Sequence, residues 1–313
     1  MNLRDLAYLR AVAAFEHFGR ASERCHVSQP TLSGQIKKLE EELGVTLFER
    51  TNKSVRPTPV GAEIAAIAAR ALEAADDIRR AAAAHRDPLA GPTRLGLIPT
   101  IAPWLVPGLL PEVDRHLPHL DLTLLEEMTE PLTRRLLDGD LDAAVIATAP
   151  EERGLAEIPL YDEPFWFAIP RGHPLETAQR IRATDIDPTE LLLLSEGHCF
   201  RDQALSFCHR ARPDAAVRAD TRATSVETVM NLVSAGHGTT LVPATAVARG
   251  YWMTDAGILA RPIEGATPGS TAPEASRRVR LVHRAASPRT DLMRALAAAI
   301  RATLPNLVRP LAA

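Results

Sequence analysis

The hydrophobic pattern of the chain changes at one stretch rich in proline and glycine, residues Asp87 to Pro92. Before this stretch, apolar residues recur mainly at the three- and four-residue spacing of helices. After it, short apolar runs alternate with helical segments over the rest of the 313-residue chain. This change of period predicts a helical N-terminal part, a linker and a separate α/β part.

The first 58 residues have the pattern of a winged helix-turn-helix unit. A first helix carries one apolar face, made of Leu3, Leu6, Leu9, Val12 and Phe15. The elements predicted next are a turn at 18–20, a short helix at 21–25 and an amphipathic helix from about Ser28 to Leu43. Ser28 suits the N-cap of that helix, Pro30 its first turn and Gly44 its end, and Cys25 is interpreted as a core residue. The alternative is a small helical domain of another kind, because the helix-turn-helix has no strict sequence motif.

The last helix of this unit exposes polar side chains that are able to reach base edges or phosphates. Two short strands on either side of Asn52-Lys53 predict a hairpin, which would be the wing, with Arg56 close to the DNA backbone. The candidate DNA-binding residues are Ser28, Gln29, Pro30, Thr31, Ser33, Gln35, Lys38, Arg50 and Lys53.

The charge distribution supports DNA binding only weakly. Residues 1–58 hold nine Lys and Arg against seven Asp and Glu, a net charge of +2. The remaining residues hold 27 basic against 32 acidic side chains, a net charge of −5. The asymmetry has the sign expected for nucleic-acid binding by the N-terminal part, but it is small.

A long helix is predicted from Pro59 to about Arg86, since Thr58-Pro59 combines an N-cap with proline in the first helical position. Its apolar stripe consists of Ile64, Ile67, Ala71, Leu72, Ala75 and Ile78. A long helix with one such stripe usually pairs with a second copy of itself, so we expect a dimerisation and linker helix. The alternative is a helix that packs on its own domain. The predicted domains are therefore 1–58, 59–90 and 91–313.

The third domain has alternating strands and helices, which predicts an α/β fold with mostly parallel strands. The predicted strands are 94–98, 120–126, 142–147, 165–169, 191–194, one near Val217, 239–242 and 279–283. The domain is long for a single sheet, so we expect two subdomains with a ligand-binding cleft between them. Residues 264–276 are rich in Gly, Ala, Pro, Ser and Thr and predict a loop.

Two of the three cysteines, Cys199 and Cys208, follow the buried strand predicted at 191–194. Gly197 supplies a tight turn, and the next residues have helical spacing without Pro or Gly. Nine helical residues separate two Cα atoms by about 13 Å, whereas a disulfide needs Cα atoms about 4.4–6.8 Å apart. A helix and a Cys199–Cys208 disulfide therefore exclude each other, which is the kind of bistable element that a redox switch requires.

The neighbours of Cys199 suit a reactive thiol. His198, Arg201 and the N-terminus of the predicted helix all favour the thiolate, which is the nucleophilic form. The alternative is that both cysteines are small core residues in an apolar segment.

Cysteine number and the length of apolar runs exclude several classes of protein. Three cysteines are too few, and odd in number, for a disulfide scaffold. The first five residues are already charged and lack the apolar core of a signal peptide. The sequence contains no run of about 18 apolar residues, so we expect no membrane span. We expect a cytoplasmic protein with no metal or cofactor, in which a disulfide would be a transient signal.

The sequence resembles LysR-type transcriptional regulators over essentially its whole length. The N-terminal motif is MNLRDLAYLRAVAAFEHFGRASERCHVSQPTLSGQIKKLEEELGVTLFERT. The resemblance implies a winged helix-turn-helix, a long linker helix and a two-subdomain α/β effector domain similar to periplasmic binding proteins.

Two shorter motifs, CHVSQPTLSGQIKKLEEELG and GHCFRDQALSFC, are similar to the hydrogen-peroxide-sensing members of that family. This resemblance implies that Cys199 reacts with peroxide and that Cys208 resolves the product to a disulfide. It also implies a peroxide pocket lined by Thr100, Thr129, His198 and Arg277. Arg278 is a rival for the last position, because the preceding loop is longer than usual in the family.

The function implied is a DNA-binding regulator of peroxide-defence genes, not an enzyme. Its effector is hydrogen peroxide and its partner is double-stranded DNA, with RNA polymerase as a further candidate. The linker helix would form a homodimer and the effector domains a homotetramer. Two alternatives stay open: a LysR-type regulator that binds a small metabolite in the cleft, and a thiol peroxidase. The first predicts that Cys199→Ser leaves the effector response intact, and the second predicts sustained turnover with a thiol reductant.

Overall fold

A computed structural model describes residues 1–50, 55–84, 87–213, 223–249, 257–264 and 275–311. The chain divides into two compact units, Met1–Arg86 with Asp138–Asp140 and Asp87–Leu137 with Leu141–Ala313. Among the helices in these ranges, none is both long enough and apolar enough to cross a membrane.

The first unit is helical apart from one hairpin. Its elements are α1 (Leu3–Phe15), α2 (Phe18–Arg24), α3 (Gln29–Leu43), β1 (Phe48–Arg50), β2 (Val55–Pro57) and α4 (Pro59–Ala84). β1 and β2 pair antiparallel, as the wing prediction requires, while the tip of this hairpin, with Lys53, lies outside the described residues. The core is formed chiefly by Leu9, Val12, Leu32, Ile36, Leu39 and Leu47.

Caps set the helix ends of this unit. Ser28 Oγ accepts a hydrogen bond from the Thr31 N–H at 3.3 Å, and Gly44 ends α3 with a φ of 69°. The turn predicted at 18–20 is wrong, because these residues are the first turn of α2. The N–H groups of Gly19 and Arg20 donate to His17 Nδ1 at 3.0 and 3.3 Å, which starts the helix early. Cys25 ends α2 and is half-buried against the core.

The apolar stripe predicted on α4 divides into two rows. Ala68 is buried in the core of the first unit, and Ile64 and Leu72 pack against that core. Ile67 and Ile78 are 48% and 72% exposed. The helix therefore packs on its own domain along one row, which was the alternative interpretation, and it has a second, uncovered row that the described residues leave exposed.

The second unit contains a mixed sheet with helices around it. Its strands are β3 (Gly91–Leu97), β4 (Leu120–Glu126), β5 (Ala143–Ile146), β6 (Leu155–Pro170), β7 (Thr240–Pro243), β8 (Ile258–Pro262), β9 (Ser276–Arg284) and β10 (Arg309–Pro310). Its helices are α5 (Ala102–His116), α6 (Thr129–Leu137), α7 (Cys199–Ala211), α8 (Val226–Ser234), α9 (Ala244–Arg249) and α10 (Thr290–Ala302), with 3₁₀ turns at Ala183–Asp185 and Pro188–Glu190.

The prediction of mostly parallel strands is wrong. The strand order is β10-β6-β9-β5-β3-β4, with β7 and β8 also paired to β6. Only β3–β4 and β3–β5 are parallel among the described strand pairs. The 16-residue β6 meets β7, β8, β9 and β10 antiparallel, and β9 meets β5 antiparallel. Apolar spacing carries no information on strand direction, so the sequence pattern could not show this.

Two separate cores confirm the prediction of two subdomains. One core is built on β3, β5, α5 and α10, and it includes Leu95, Leu109 and Leu296. The other is built on the second half of β6 with α7 and α8, and it includes Phe167 and Phe207. The long β6 contributes to both cores, and together with β9 it joins the two subdomains.

The buried strand predicted at 191–194 is also wrong. Among the described residues, this segment makes two isolated parallel bridges, Leu191 with Thr239 and Leu194 with Ala223, and no ladder. Its leucines are apolar because they cover the second core, and not because they are paired in a ladder. The strand predicted near Val217 and most of the loop predicted at 264–276 lie outside the described residues.

Candidate functional site

Cys199 is the first residue of α7, directly after a tight turn. Gly197 has a φ of +92°, a conformation that glycine adopts without strain, and His198 is the N-cap residue. The helix continues without interruption to Ala211, so Cys208 lies on the same helix. Cys25, Cys199 and Cys208 are all free thiols, as the predicted helix requires.

Three other elements bring their ends to Cys199. Thr100 follows β3, Thr129 is the first residue of α6 after β4, and Arg277 is the second residue of β9. Because β3 and β4 are parallel neighbours, their carboxyl ends meet at one edge of the sheet, where ligands of such sheets bind. Thr100 and Arg277 are 2% and 3% exposed, whereas Cys199 and Thr129 are half-buried.

Arg277 is held by a network of short hydrogen bonds. Its Nε donates to Glu163 Oε2 at 2.7 Å, and its Nη1 donates to Thr100 Oγ1 at 2.7 Å. Its Nη2 donates to the carbonyl oxygen of Thr100 at 3.1 Å. The guanidinium carbon also lies 5.2 Å from the centre of the Phe200 ring, a cation–π distance. The guanidinium therefore has one fixed orientation beside the first turn of α7.

The neighbouring arginine faces the other way. Arg278 is exposed and pairs with Asp162, with Nε and Nη2 at 2.7 and 3.0 Å from the two carboxylate oxygens. Because successive side chains of a strand point to opposite faces, only Arg277 of the two can reach the thiol. The geometry thus favours Arg277 over Arg278 as the arginine of the cluster.

Burial raises the pKa of the Cys199 thiol, and three groups oppose this increase. They are the positive charge of Arg277, the hydroxyl of Thr129 and the backbone N–H of Phe200, while Asp202 raises the pKa further. Of the three groups predicted to favour the thiolate, the helix N-terminus lowers the pKa of Cys199 through the Phe200 N–H, whereas His198 and Arg201 are not among the groups that shift this pKa. Arg201 Nη1 donates to the carbonyl oxygen of Leu194 at 3.0 Å, and burial lowers the pKa of His198, which keeps the imidazole neutral. Arg277, from a distant strand, takes the role that sequence neighbours were expected to play.

Three residues close to Cys199 along the chain or bonded to its thiol carry buried polar atoms without another hydrogen-bond partner in the described structure. They are His198 Nε2 and Gln203 Oε1, near Cys199 in the chain, and Thr129 Oγ1, whose one partner is the thiol. Buried polar atoms normally have partners, so this set is suited to a small polar molecule that both donates and accepts hydrogen bonds.

Sequence reasoning missed Gln203 and Glu163. Gln203 lies four residues after Cys199, on the same side of α7, and its Nε2 donates to the carbonyl oxygen of Ala147 at 2.8 Å. That spacing was a usable signal. Glu163 is completely buried, and its partners come from residues far along the chain, so no local signal identified it.

Cys208 has a different environment. It is 3% exposed in the second core, on a helix face shared with Ala204 and Phe207. Burial alone raises its pKa to about 11. Cys208 therefore stays a protonated thiol near neutral pH, whereas Cys199 has groups beside it that stabilise its thiolate.

The candidate DNA-binding residues lie on or near α3 and the hairpin. Ser28, Gln29, Pro30, Thr31 and Lys38 are exposed, and Ser33 and Gln35 are half-buried. The Arg50 side chain makes its contacts inside the first unit. It donates hydrogen bonds to Ser33 Oγ at 3.3 Å and to Glu40 Oε2 at 2.8 Å, and its guanidinium carbon lies 4.9 Å from the centre of the Phe18 ring. It ties the hairpin to α3.

Residues 3–62 match the family model described as bacterial regulatory helix-turn-helix protein, lysR family. Residues 86–305 match the LysR substrate binding domain. The chain is 40% identical over 309 residues to the DNA-binding transcriptional dual regulator OxyR of Escherichia coli, covering 97% of this chain and 96% of that protein.

Solved structures give the same result. Full-length OxyR of Pseudomonas aeruginosa, in a cysteine-to-aspartate variant, has a TM-score of 0.77 and 40% identity, over 99% of this chain and 97% of that one. A hydrogen-peroxide-bound OxyR mutant of Corynebacterium glutamicum has a TM-score of 0.65 and 35% identity, over 96% of this chain and 92% of that one. The fold, the two family models and these similarities establish that the chain belongs to the LysR family of bacterial transcriptional regulators.

Proposed function

We propose that this protein is a DNA-binding regulator that senses hydrogen peroxide through oxidation of Cys199 and a disulfide between Cys199 and Cys208. One observation carries the proposal. Cys199 starts a helix beside a fixed arginine and unpartnered polar atoms, and Cys208 lies nine residues further along the same helix. The relatives named OxyR, one of them a structure with bound peroxide, support the same effector.

In the first step, the Cys199 thiolate attacks one oxygen of hydrogen peroxide. An S–O bond forms, the O–O bond breaks, and the second oxygen leaves as hydroxide. The hydroxide and the proton released when the thiol ionised together make water. Arg277 and the hydroxyls of Thr100 and Thr129 stabilise the charge on the departing oxygen. His198 contributes a neutral imidazole to the same pocket.

In the second step, Cys208 attacks the sulfur of the Cys199 sulfenic acid. An S–S bond forms, the S–O bond breaks, and a second water leaves. Cys208 must first leave the core, because the helix holds the two residues too far apart for a disulfide. Leaving the core also lowers the Cys208 pKa from about 11 towards its ordinary value, which makes it a better nucleophile.

The remaining parts of the chain have their own proposed roles. Residues 1–58 bind double-stranded DNA, residues 59–90 form a homodimer, and residues 91–313 sense peroxide. The effector domains complete a homotetramer in the cytoplasm, and the DNA-bound form contacts RNA polymerase. Relatives named hydrogen peroxide-inducible genes activator support peroxide-defence genes as the targets. The protein acts once per oxidation as a regulator and has no enzymatic turnover.

The test is thiol mass mapping of the reduced protein after a brief, near-stoichiometric hydrogen peroxide pulse, with DNA footprinting of the same samples. We expect a Cys199–Cys208 disulfide that appears together with a shifted footprint. Free thiols at both positions, or a disulfide with an unchanged footprint, would favour the metabolite-binding alternative. Continued peroxide consumption with a thiol reductant would favour the peroxidase.

A further inference from the structure

We propose that Glu163 is a positioning residue for the reaction of Cys199, because its carboxylate fixes the guanidinium of Arg277 beside the thiol. The inference rests on the proposed function, since it concerns the rate at which peroxide oxidises Cys199. It assigns a role to a residue that never touches the thiol itself.

Complete burial makes this ion pair unusual. The side chains of Glu163 and Arg277 are both 0% exposed, with Nε 2.7 Å from Oε2. Removing two charges from water is costly, and an apolar pair of similar volume is often equally or more stabilising. The pair therefore needs a reason other than stability, and the orientation of Arg277 supplies one.

Both oxygens of the Glu163 carboxylate are committed. Oε2 accepts from Arg277 Nε, while Oε1 accepts from the Thr245 N–H at 2.9 Å and from the Thr245 hydroxyl. Thr245 lies in the first turn of α9, so a helix N-terminus holds the far side of the carboxylate. The carboxylate cannot rotate without breaking both sets of bonds, and it transmits this rigidity to Arg277.

The same two strands carry a second pair of the same kind on their outer face. In the β6–β9 ladder, Asp162 is paired with Arg278 and Glu163 with Arg277. The outer pair, Asp162–Arg278, already links the two strands in solvent. Strand pairing alone therefore gives no reason for the buried pair, and Asp162 provides a matched control on the same strand.

Glu163 acts on the thiol through Arg277. The Arg277 charge is the largest influence that lowers the Cys199 pKa, and Glu163 is not among the groups that shift this pKa directly. The other charged group facing the thiol is Asp202, on α7. Tyr161, on the same strand as Glu163, is influenced electrostatically by Glu163, by Arg277 and by Arg249 of α9. Neither Tyr161 nor Arg249 makes a described hydrogen bond to the carboxylate, so Arg277 and Thr245 determine its position.

The test compares Glu163→Gln with Asp162→Asn. Glutamine has the same shape as glutamate, but only its oxygen accepts hydrogen bonds, because its other terminal atom is an NH₂ donor. It therefore cannot accept hydrogen bonds from Arg277 and Thr245 at the same time through both terminal atoms. Two quantities are measured in the full-length reduced protein: the rate constant of Cys199 oxidation by hydrogen peroxide, and the pH profile of Cys199 alkylation by iodoacetamide. Both are read by mass mapping of the Cys199 peptide.

For Glu163→Gln we expect the peroxide rate constant to fall by about 10- to 100-fold, as for other misplaced catalytic groups. We also expect the alkylation profile to move to higher pH, because Arg277 no longer stabilises the thiolate. Asp162→Asn should leave both quantities unchanged. A folded Glu163→Gln protein with the wild-type rate and alkylation profile overturns the inference. A shift of the alkylation profile to lower pH also overturns it, because it would indicate that Glu163 only offsets the positive charge of Arg277.

Thr245→Val provides a second variant, since it removes one hydroxyl bond to Glu163 and keeps the backbone bond. Circular dichroism shows whether each variant is folded. If Glu163→Gln does not fold, a smaller rate decrease and a shift of the same sign in Thr245→Val support the inference, and wild-type behaviour overturns it. Wild-type Cys199 that reacts no faster than a thiol of the denatured chain would contradict the proposed function itself.

Discussion

Cys199 and Cys208 are the first and tenth residues of the unbroken helix α7. Nine helical steps separate their Cα atoms by about 13 Å, which is about two to three times the Cα separation that a disulfide allows. The helix and the disulfide are therefore alternative states of one segment. In the proposed mechanism, oxidation of Cys199 makes the second state accessible, and the loss of helix is the structural signal of oxidation.

We expect stoichiometric peroxide to reduce the far-UV circular dichroism signal by up to the contribution of the 13 residues of α7. Cys208→Ser should keep this helix and stop at the sulfenic acid, because the resolving thiol is missing. Mass mapping identifies the product in the same samples. Cys25→Ser is the control, since Cys25 lies in the first unit, and it should behave as wild type. An oxidised wild-type protein with a full helical signal would contradict the switch.

The reaction of Cys199 should accelerate with pH. Burial raises its pKa, so the thiolate is a minor species at neutral pH and its fraction grows as pH rises towards that pKa. Arg277→Gln removes the charge that opposes this increase, and the pH profile of Cys199 alkylation should move to higher pH. Arg278→Gln is the matched control, because Arg278 is exposed on the opposite face, and its profile should coincide with wild type. Equal shifts in the two variants would argue against the assignment of Arg277.

Cys208 should make the reduced protein less stable at alkaline pH. Its pKa is 9.0 ordinarily and about 11 in the folded chain, so the folded state holds the thiol proton more tightly than the unfolded state. This contribution to stability is complete below about pH 9 and is lost as pH rises towards about 11. Urea denaturation at pH 8 and pH 10 would measure it. The difference between the two pH values should be smaller in Cys208→Ala than in wild type, and an unchanged difference would contradict the argument.

The elements that the sequence predicted well are those fixed by neighbouring residues. Ser28, Gly44 and Thr58 cap their helices through bonds to groups at most four residues away, so their signals are local. Gly61 is an example of a residue whose role depends on a contact that is distant in the sequence. A Cβ at this position would lie 2.0 Å from the carbonyl oxygen of Leu47, and no pattern near Gly61 indicates that contact.

Features that depend on strand register could not be predicted from the sequence. Whether Arg277 or Arg278 faces the thiol depends on how β9 is aligned with β6, and a slip of one residue would exchange them. Glu163 was missed for the same reason, because its partner Arg277 lies 114 residues away. The motifs thus pointed to Cys199, Thr100 and Thr129, while Glu163, which also orients the arginine, required the fold.

Lys38 tests the DNA-binding interpretation of α3. If Lys38 contacts a phosphate, Lys38→Ala should weaken DNA binding uniformly and reduce the salt slope, d log K/d log[salt], by about 0.9. Lys37→Ala makes the same change of charge one residue earlier, where the ammonium lies 3.8 Å from Glu41 Oε1. Fluorescence anisotropy at several salt concentrations measures both. Equal effects of the two substitutions would show a general charge effect and no specific contact.

A substitution in the uncovered row of α4 tests the proposed dimer. Ile78 is 72% exposed and Ile67 is 48% exposed, whereas Ala68 on the other row is buried in the core. Burial of an isoleucine side chain stabilises an assembly by about 1.5–3 kcal/mol, so a second copy that covers Ile78 gains from the contact. Ile78→Asp should therefore raise the dimer dissociation constant by about tenfold or more. Sedimentation velocity over a range of protein concentrations measures it. Arg79→Asp is the control, because Arg79 is an exposed neighbour on the same helix whose charge pairs with Asp76. If Ile78→Asp keeps the wild-type dissociation constant, the pairing of α4 with a second copy is wrong, and the helix serves only its own domain.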